Sequence, residues 1–233
     1  MNWTPRAPAW EVEKIVLENG RGGSSDFRHY FQSGRYSGTL RIHDDEYAVE
    51  GWYGQRDRSR GRRAVGGGQG FHIWVQAQFP ETNIAFLFDA DRAGNGRYCS
   101  GAVLREDGSA DPIVDVKHNL DFEDTELRQG HLEIQTASGA VLNVKGDLPV
   151  NGGGYLAGGG YGGWHGQPRG NNHLEHEIWT LDGSVTSRDL PTPITDRLAS
   201  FRWGGESGVG VFEFSRSRHP EAIYRPTLVM TTR

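Results

Sequence analysis

Phe71 to Phe79, FHIWVQAQF, decides the reading of this chain. Phe71, Ile73 and Val75 alternate with His72 and Trp74, the two-residue period of a strand with two different faces. Pro80-Glu81-Thr82-Asn83 follows as a breaker cluster, and Ile84 to Phe88 (IAFLF) reads as the returning strand of a hairpin. The same rhythm recurs along the chain. Arg35 to Ile42 and Tyr47 to Trp52 flank the turn-prone His43-Asp44-Asp45-Glu46. Arg97 to Leu104 leads through Glu106-Asp107-Gly108-Ser109 to Ile113 to Lys117, and His131 to Thr136 and Ala140 to Lys145 bracket Ala137-Ser138-Gly139. Leu174 to Thr180 and Val209 to Phe214 complete the set of expected strands. No segment sustains a 3.6-residue period, so helices should be few and short, near Pro191 to Leu198 and Asp121 to Leu127.

Composition agrees with an all-β chain. Glycine contributes 34 of 233 residues without a Gly-X-Y period, which excludes collagen and suits many tight turns and strand kinks. The expected fold is therefore an antiparallel β-barrel or β-sandwich, one domain over residues 1–233. Cys99 has no second cysteine to pair with and no sequence neighbour to activate it, so it reads as structural, in a reducing compartment. The opening MNWTPRAPAW has neither a basic head with an apolar run nor a cleavage site, and no apolar stretch is long enough to span a bilayer. A cytoplasmic location is the expectation. With 25 basic and 30 acidic side chains, net charge -5, nucleic acid is not an expected partner and a small molecule is.

Two strings carry charge in a pattern. Gly51 to Arg63, GWYGQRDRSRGRR, puts Arg56, Arg58, Arg60 and Arg62 on one face if extended, with Asp57 and Ser59 on the other. Four guanidiniums on one face repel unless solvent, a network or an anion lies opposite. Alternatively Gly54 and Gly61 bound a bend that turns Asp57 inward, where it needs an arginine partner. The physics of the string favours a structural Asp–Arg network over catalysis, since ion-pair networks perturb acids as readily as active sites do. His173-Leu174-Glu175-His176-Glu177 invites a metal reading, but on a strand His173, Glu175 and Glu177 face one way and His176 the other, beside Leu174 and Ile178. No metal is expected there.

Other features are weaker. Gly66 to Gly70 precedes a strand instead of opening a helix, so it is not a phosphate loop. Asn151 to Gly163, NGGGYLAGGGYGG, reads either as a surface loop or as a loop closing over a pocket, with Tyr161, Trp164 and His165 beside it. His72 and Trp74 should line one interior face of the barrel, where a histidine is a satisfied core group more readily than a base.

Gln32 to Thr39, the hairpin, and then Gly54 to Arg63 (GQRDRSRGRR) together resemble a signature of uncharacterised bacterial members of the hydroxyneurosporene synthase (carotenoid 1,2-hydratase-like) superfamily. Its form is roughly Gly-x-Arg-Asp-His/Arg-Ser-Trp-Gly-x-Arg, with Arg60 here in place of tryptophan. Gly208 to Glu213 (GVGVFE) resembles a Gly-x-Gly-x-x-Glu element of the same proteins. The resemblance implies a barrel-like cavity, often between two tandem β-domains, that holds a hydrophobic substrate for hydration, cyclisation or isomerisation without metal or organic cofactor. This chain would supply one half of that arrangement and is expected to homodimerise over an exposed apolar face. On that reading Asp57 is the acid, Arg56 or Arg63 sets its ionisation, and His72 is a further catalytic candidate. Trp74, Tyr161, Trp164, His165 and Glu213 are the candidate substrate contacts. The alternatives are a non-catalytic lipocalin-like carrier and a Trp-lined β-sandwich acting on carbohydrate.

Overall fold

The computed structural model describes residues 1–18, 23–62, 69–155, 169–174, 178–189 and 194–230. Two antiparallel sheets make up the molecule. The first contains β1 (Asn2–Pro5), β2 (Trp10–Glu18), β3 (Ser24–Ile42) and β4 (Asp45–Arg62). Its centre is the 19-residue β3, which pairs with β4 along one edge and with β1 and β2 along the other. A two-residue turn joins β3 to β4, with His43 at a positive φ of 54°.

The second sheet closes on itself. It runs through β5 (Gln69–Gln78), β6 (Thr82–Asp91), β7 (Gly96–Arg105), β8 (Ala110–Glu123), β9 (Glu126–Thr136) and β10 (Val141–Asp147). After the two-residue β11 (Gly154–Tyr155) come β12 (Ile194–Trp203) and β13 (Glu206–Arg216). β13 bridges β5 and β12, and β12 pairs with β10 through Gly146 opposite Phe201, giving an eight-stranded antiparallel barrel. The sequence-based hairpins are all present and longer than their apolar runs suggest. Among the described residues the one helical turn is the 3₁₀ segment Ser187–Asp189, and no helix is long and apolar enough to cross a membrane.

Three expectations are corrected. Ile194 to Leu198 is the start of β12, and Asp121 to Leu127 is the β8–β9 hairpin, turning at Asp124 with φ 58°. The described ends of Leu174 to Thr180 are not strand, and Leu174 and Ile178 are exposed where an inward-facing apolar pair was expected.

Phe71, Ile73, Val75 and Ala77 of β5 point into the barrel with Phe86 of β6, Leu132 and Ile134 of β9, Phe201 of β12 and Phe212 and Phe214 of β13. Each such ring or branched chain contributes about 1.5–3 kcal/mol when fully buried. Gly130 and Gly146 make room for this packing, since a Cβ on Gly130 would sit 2.6 Å from the Phe212 ring and one on Gly146 3.0 Å from Phe201. One end of the lumen is stoppered by the C-terminal segment: Tyr224 packs on Phe71, its hydroxyl lies 3.0 Å from His118 Nδ1, and the amides of Thr227 and Leu228 donate to the His118 carbonyl. Elsewhere in the interior Arg197 Nη2 donates to Glu126 Oε2 at 2.5 Å, while the Ser187 amide donates to Glu126 Oε1.

The first sheet lies against the outside of this barrel. Phe31, Ala7 and Trp10 pack on Ala85, Ala102 and Leu104 of the β6–β7 wall. Arg6 pins the contact by donating to Glu106 Oε1 and to the Thr82 carbonyl, each at 2.9 Å. A seam between two β layers results.

Candidate active site

Antiparallel register gathers chemistry into this seam. Residues directly opposite one another share a sheet face. Trp74 is opposite Glu213, which is opposite Asp196, while His72 is opposite Asp89. Because Phe71, Ile73, Phe212 and Phe214 point inward, these intervening side chains must point outward, under β3 and β4. His72 and Trp74 therefore do share a face, but it is the outer wall of the barrel and not its interior. Period two was legible, and which face was buried by what was not.

On the opposite side of the seam, β3 and β4 contribute His29 and Asp57. Gly51 to Arg62 of this string is extended, within β4: Asp57 is opposite Phe31 on the face turned to the barrel. His29 Nε2 is hydrogen-bonded to Asp57 Oδ1, and its ring lies 6.2 Å from that of Trp74. The expected Asp–Arg network is thus an Asp57–His29 pair. Arg56 is turned to the other face, where it donates to the Tyr30 hydroxyl and Gln32 and lies 4.9 Å over the Trp3 ring; these, and not Asp57, are its described partners. Arg63, Tyr161, Trp164 and His165 lie outside the described residues.

His72 is the hub. Its Nε2 donates to Glu213 Oε1 at 2.7 Å, and its Nδ1 accepts from Gln69 Nε2 at 2.7 Å. Gln69 also donates to Asp89 Oδ2, and Arg97 Nε donates to Asp89 Oδ1 at 2.5 Å, which anchors the far end of the chain of contacts. Burial alone pulls His72 downward, but the hydrogen bond and charge of Glu213, aided by Asp89 and Asp196, outweigh it and raise the imidazole. Burial pushes Glu213 upward, and His72 beside it reverses the sign, leaving that carboxyl below its usual range. Asp196 goes the other way. Burial first, then the neighbouring Glu213 charge and hydrogen bond, hold it protonated up to about 8. Two carboxyls in contact thus differ in state: Asp196 carries the proton and Glu213 the charge.

Polar atoms without partners mark the same place. Asp196 Oδ1, Trp74 Nε1 and His29 Nδ1 are buried with no hydrogen-bond partner among the described residues. Asp196 also touches the start of the glycine-rich tract: Gly154 is opposite it in β11, and Gly153 at φ 100° leaves space where a Cβ would meet the Asp196 carbonyl at 2.1 Å. Asp196, His29, Asp89 and Gln69 were missed by sequence reasoning. Alternation across Asp196 to Arg202, with Ala199 and Phe201 inward, was the available signal for β12, and buried Thr195 and Arg197 disguised it.

Other candidates settle differently. Glu175, His176 and Glu177 lie outside the described residues, His173 is exposed, and among the described residues no three His, Cys, Asp or Glu side chains converge as metal ligands. Burial pushes the Cys99 thiol up to about 12, so it stays protonated and unreactive.

The architecture defines a class: an antiparallel barrel packed mainly with apolar side chains whose outer wall, beneath a second sheet, carries an acid–carboxylate–imidazole cluster. The model of a family described as a domain of unknown function, DUF7064, matches residues 3–153, and the chain belongs to that family. The matched stretch holds His29, Asp57, His72 and Trp74, whereas Asp196 and Glu213 lie beyond it. Among solved structures the chain is similar to kievitone hydratase from Nectria haematococca, with 12% identity and a TM-score of 0.44. That alignment covers 88% of this chain and 65% of the hydratase chain, so this chain spans less than two thirds of the hydratase's length. No curated protein matches.

Proposed function

We propose that the protein is a cofactor-independent acid–base enzyme that adds water to, or isomerises, a double bond of a hydrophobic small molecule held in the seam. The observation that carries this reading is the Asp196–Glu213–His72 chain, in which a protonated carboxyl and an ionised one are in contact beside the indole of Trp74. A proton donor and a proton acceptor that differ in state at one pH are what reversible protonation of carbon requires. In the hydration sense, Asp196 delivers its proton to one alkene carbon. The cation left on the other carbon is stabilised by the Glu213 carboxylate and the Trp74 ring. Water adds there, its surplus proton passes to Glu213, and the Asp196–Glu213 hydrogen bond returns that proton to Asp196. Atoms and charges balance, and the enzyme is restored. Isomerisation differs only in the last step, where Glu213 removes a neighbouring C–H proton from the same cation. His72, fixed by Gln69, and Asp57, paired with His29, position and tune the pair.

The motif resemblance of Gly54 to Arg63 and Gly208 to Glu213 supports the same class of chemistry. A carbohydrate hydrolase fits less well, because its two carboxylates stand on either side of a sugar, whereas Asp196 and Glu213 sit directly opposite each other on paired strands of one wall. The test begins with native mass spectrometry of protein purified from its own cells, which identifies a retained ligand. That compound is then incubated in isotopically labelled water with wild type and with Asp196→Asn, whose amide keeps the donor to Glu213 and cannot release a proton. Loss of label incorporation or bond migration by about 100-fold or more, with the fold intact, is the expected result. Unchanged turnover by Asp196→Asn would refute the assignment. Activity should also follow a bell in pH, falling as Asp196 ionises near pH 8 and again, in acid, as Glu213 takes up a proton.

A further inference from the structure

The face of the first sheet turned away from the barrel carries a second site. Asp26 to Tyr30 on β3 run alongside Arg58 to Arg62 on β4, with Arg28 directly opposite Arg60 and Tyr30 opposite Arg58. Like charges placed directly opposite each other across a strand pair are destabilising. Arg28, Arg58 and Arg60 form no ion pair among the described residues, although Arg41 and Arg35 of this sheet and Arg6 beside it all do. On the other side of β3, the β2 register slips between Val12 and Ile15, opposite Arg28. This bulge brings Lys14 to the same hollow. Three adjacent strands each direct cations at one groove of about 460 Å³, lined by Lys14, Arg28, Arg58 and Arg60 with Tyr30 and Phe27. Two carboxylates, Glu11 and Asp26, also line it, and the Lys14–Asp26 approach of 3.8 Å is between exposed groups and weak. The groove is therefore net positive on a chain whose overall charge is -5.

We infer that this groove binds a small molecule bearing a diphosphate group. Two facing guanidiniums and a flanking third present planar, forked donors at spacings suited to two linked anionic centres, and Lys14 adds a point charge. A ligand there relieves the Arg28–Arg60 repulsion, so binding and stability are coupled.

The experiment is calorimetric titration of the full chain at low ionic strength with inorganic diphosphate, orthophosphate and ADP, together with thermal melts. Expected are one-site binding of diphosphate, a rise in Tm with it, and weakening by about tenfold or more in an Arg28→Gln, Arg60→Gln double variant. The variant's own Tm without ligand should equal or exceed that of wild type, because the cross-strand repulsion is gone. Arg41→Gln, which loses an exposed pair with Glu46 on the same sheet, should bind diphosphate unchanged. ADP binding tighter than inorganic diphosphate would place a base on Tyr30, and equal binding would locate all recognition in the diphosphate; both support the site. Absence of diphosphate binding, orthophosphate binding as tight as diphosphate, or full binding by the double variant would overturn it.

Discussion

The two faces of one barrel wall behave as different materials. Along β5, Phe71, Ile73, Val75 and Ala77 enter a ring-packed lumen, while His72, Trp74, Gln76 and Gln78 enter a seam that is nearly as enclosed and is polar. Both sets are buried, yet one is buried by the barrel itself and the other by β3 and β4. The cluster of titratable side chains in this fold lies on the outside of the barrel wall, where a separate layer closes over it.

The contrast makes sharply different mutational forecasts. The largest effect belongs to the Arg197–Glu126 ion pair in the lumen: Arg197→Leu leaves the Glu126 carboxylate buried without that guanidinium and should cost about 3–5 kcal/mol in denaturant unfolding. An equally stable variant would mean that water or another cation reaches Glu126, and the lumen is not dry. Next comes acid. His118 is enclosed by Phe71, Phe88 and Tyr224, and burial pushes its imidazole down to about 4. The unfolded chain takes up a proton near 6.5 and the folded chain only near 4, so the neutral ring's contribution is present above pH 6.5 and is lost as pH falls to 4. That loss amounts to about 3 kcal/mol, and urea melts of wild type and His118→Gln should show it shrinking in the variant. The smallest effect has the opposite sign. An Asp196 carboxyl raised to about 8 is protonated in the fold but ionised in the unfolded chain at pH 7, which disfavours folding increasingly from about pH 4 to 8. Asp196→Asn removes that burden and should raise stability by about 1–2 kcal/mol while abolishing turnover. If the variant unfolds more easily instead, Asp196 is a structural strut and the division between lumen and seam fails.

Much of the barrel could be read in advance because alternation and breaker clusters are local properties. FHIWVQAQF announced two faces, and His43-Asp44 marked the turn of the longest hairpin. Alternation does not say what covers each face, and so His72 and Trp74 were assigned to the interior. β12 escaped because its inward positions include Thr195 and Arg197, which look like a surface in sequence and are buried against Glu126 in the fold. The partner of Asp57 was hidden by distance along the chain. Counting back from the turn at His43 leads to His29, but only if β3 is extended well before Arg35, and nothing apolar in Ser24-Ser25-Asp26 advertises that length. The arginines nearby in sequence are the more obvious partners, and the register sends Arg56, Arg58, Arg60 and Arg62 to the opposite face.

Placing the reactive groups between two independently held-together sheets also separates durability from selectivity. Substitutions on β3 and β4 can reshape what meets Trp74 and Asp196 without disturbing a single ring in the lumen. Under the proposed function, descendants of this architecture are free to exchange guests by editing the cover, while the drum beneath keeps its melting point.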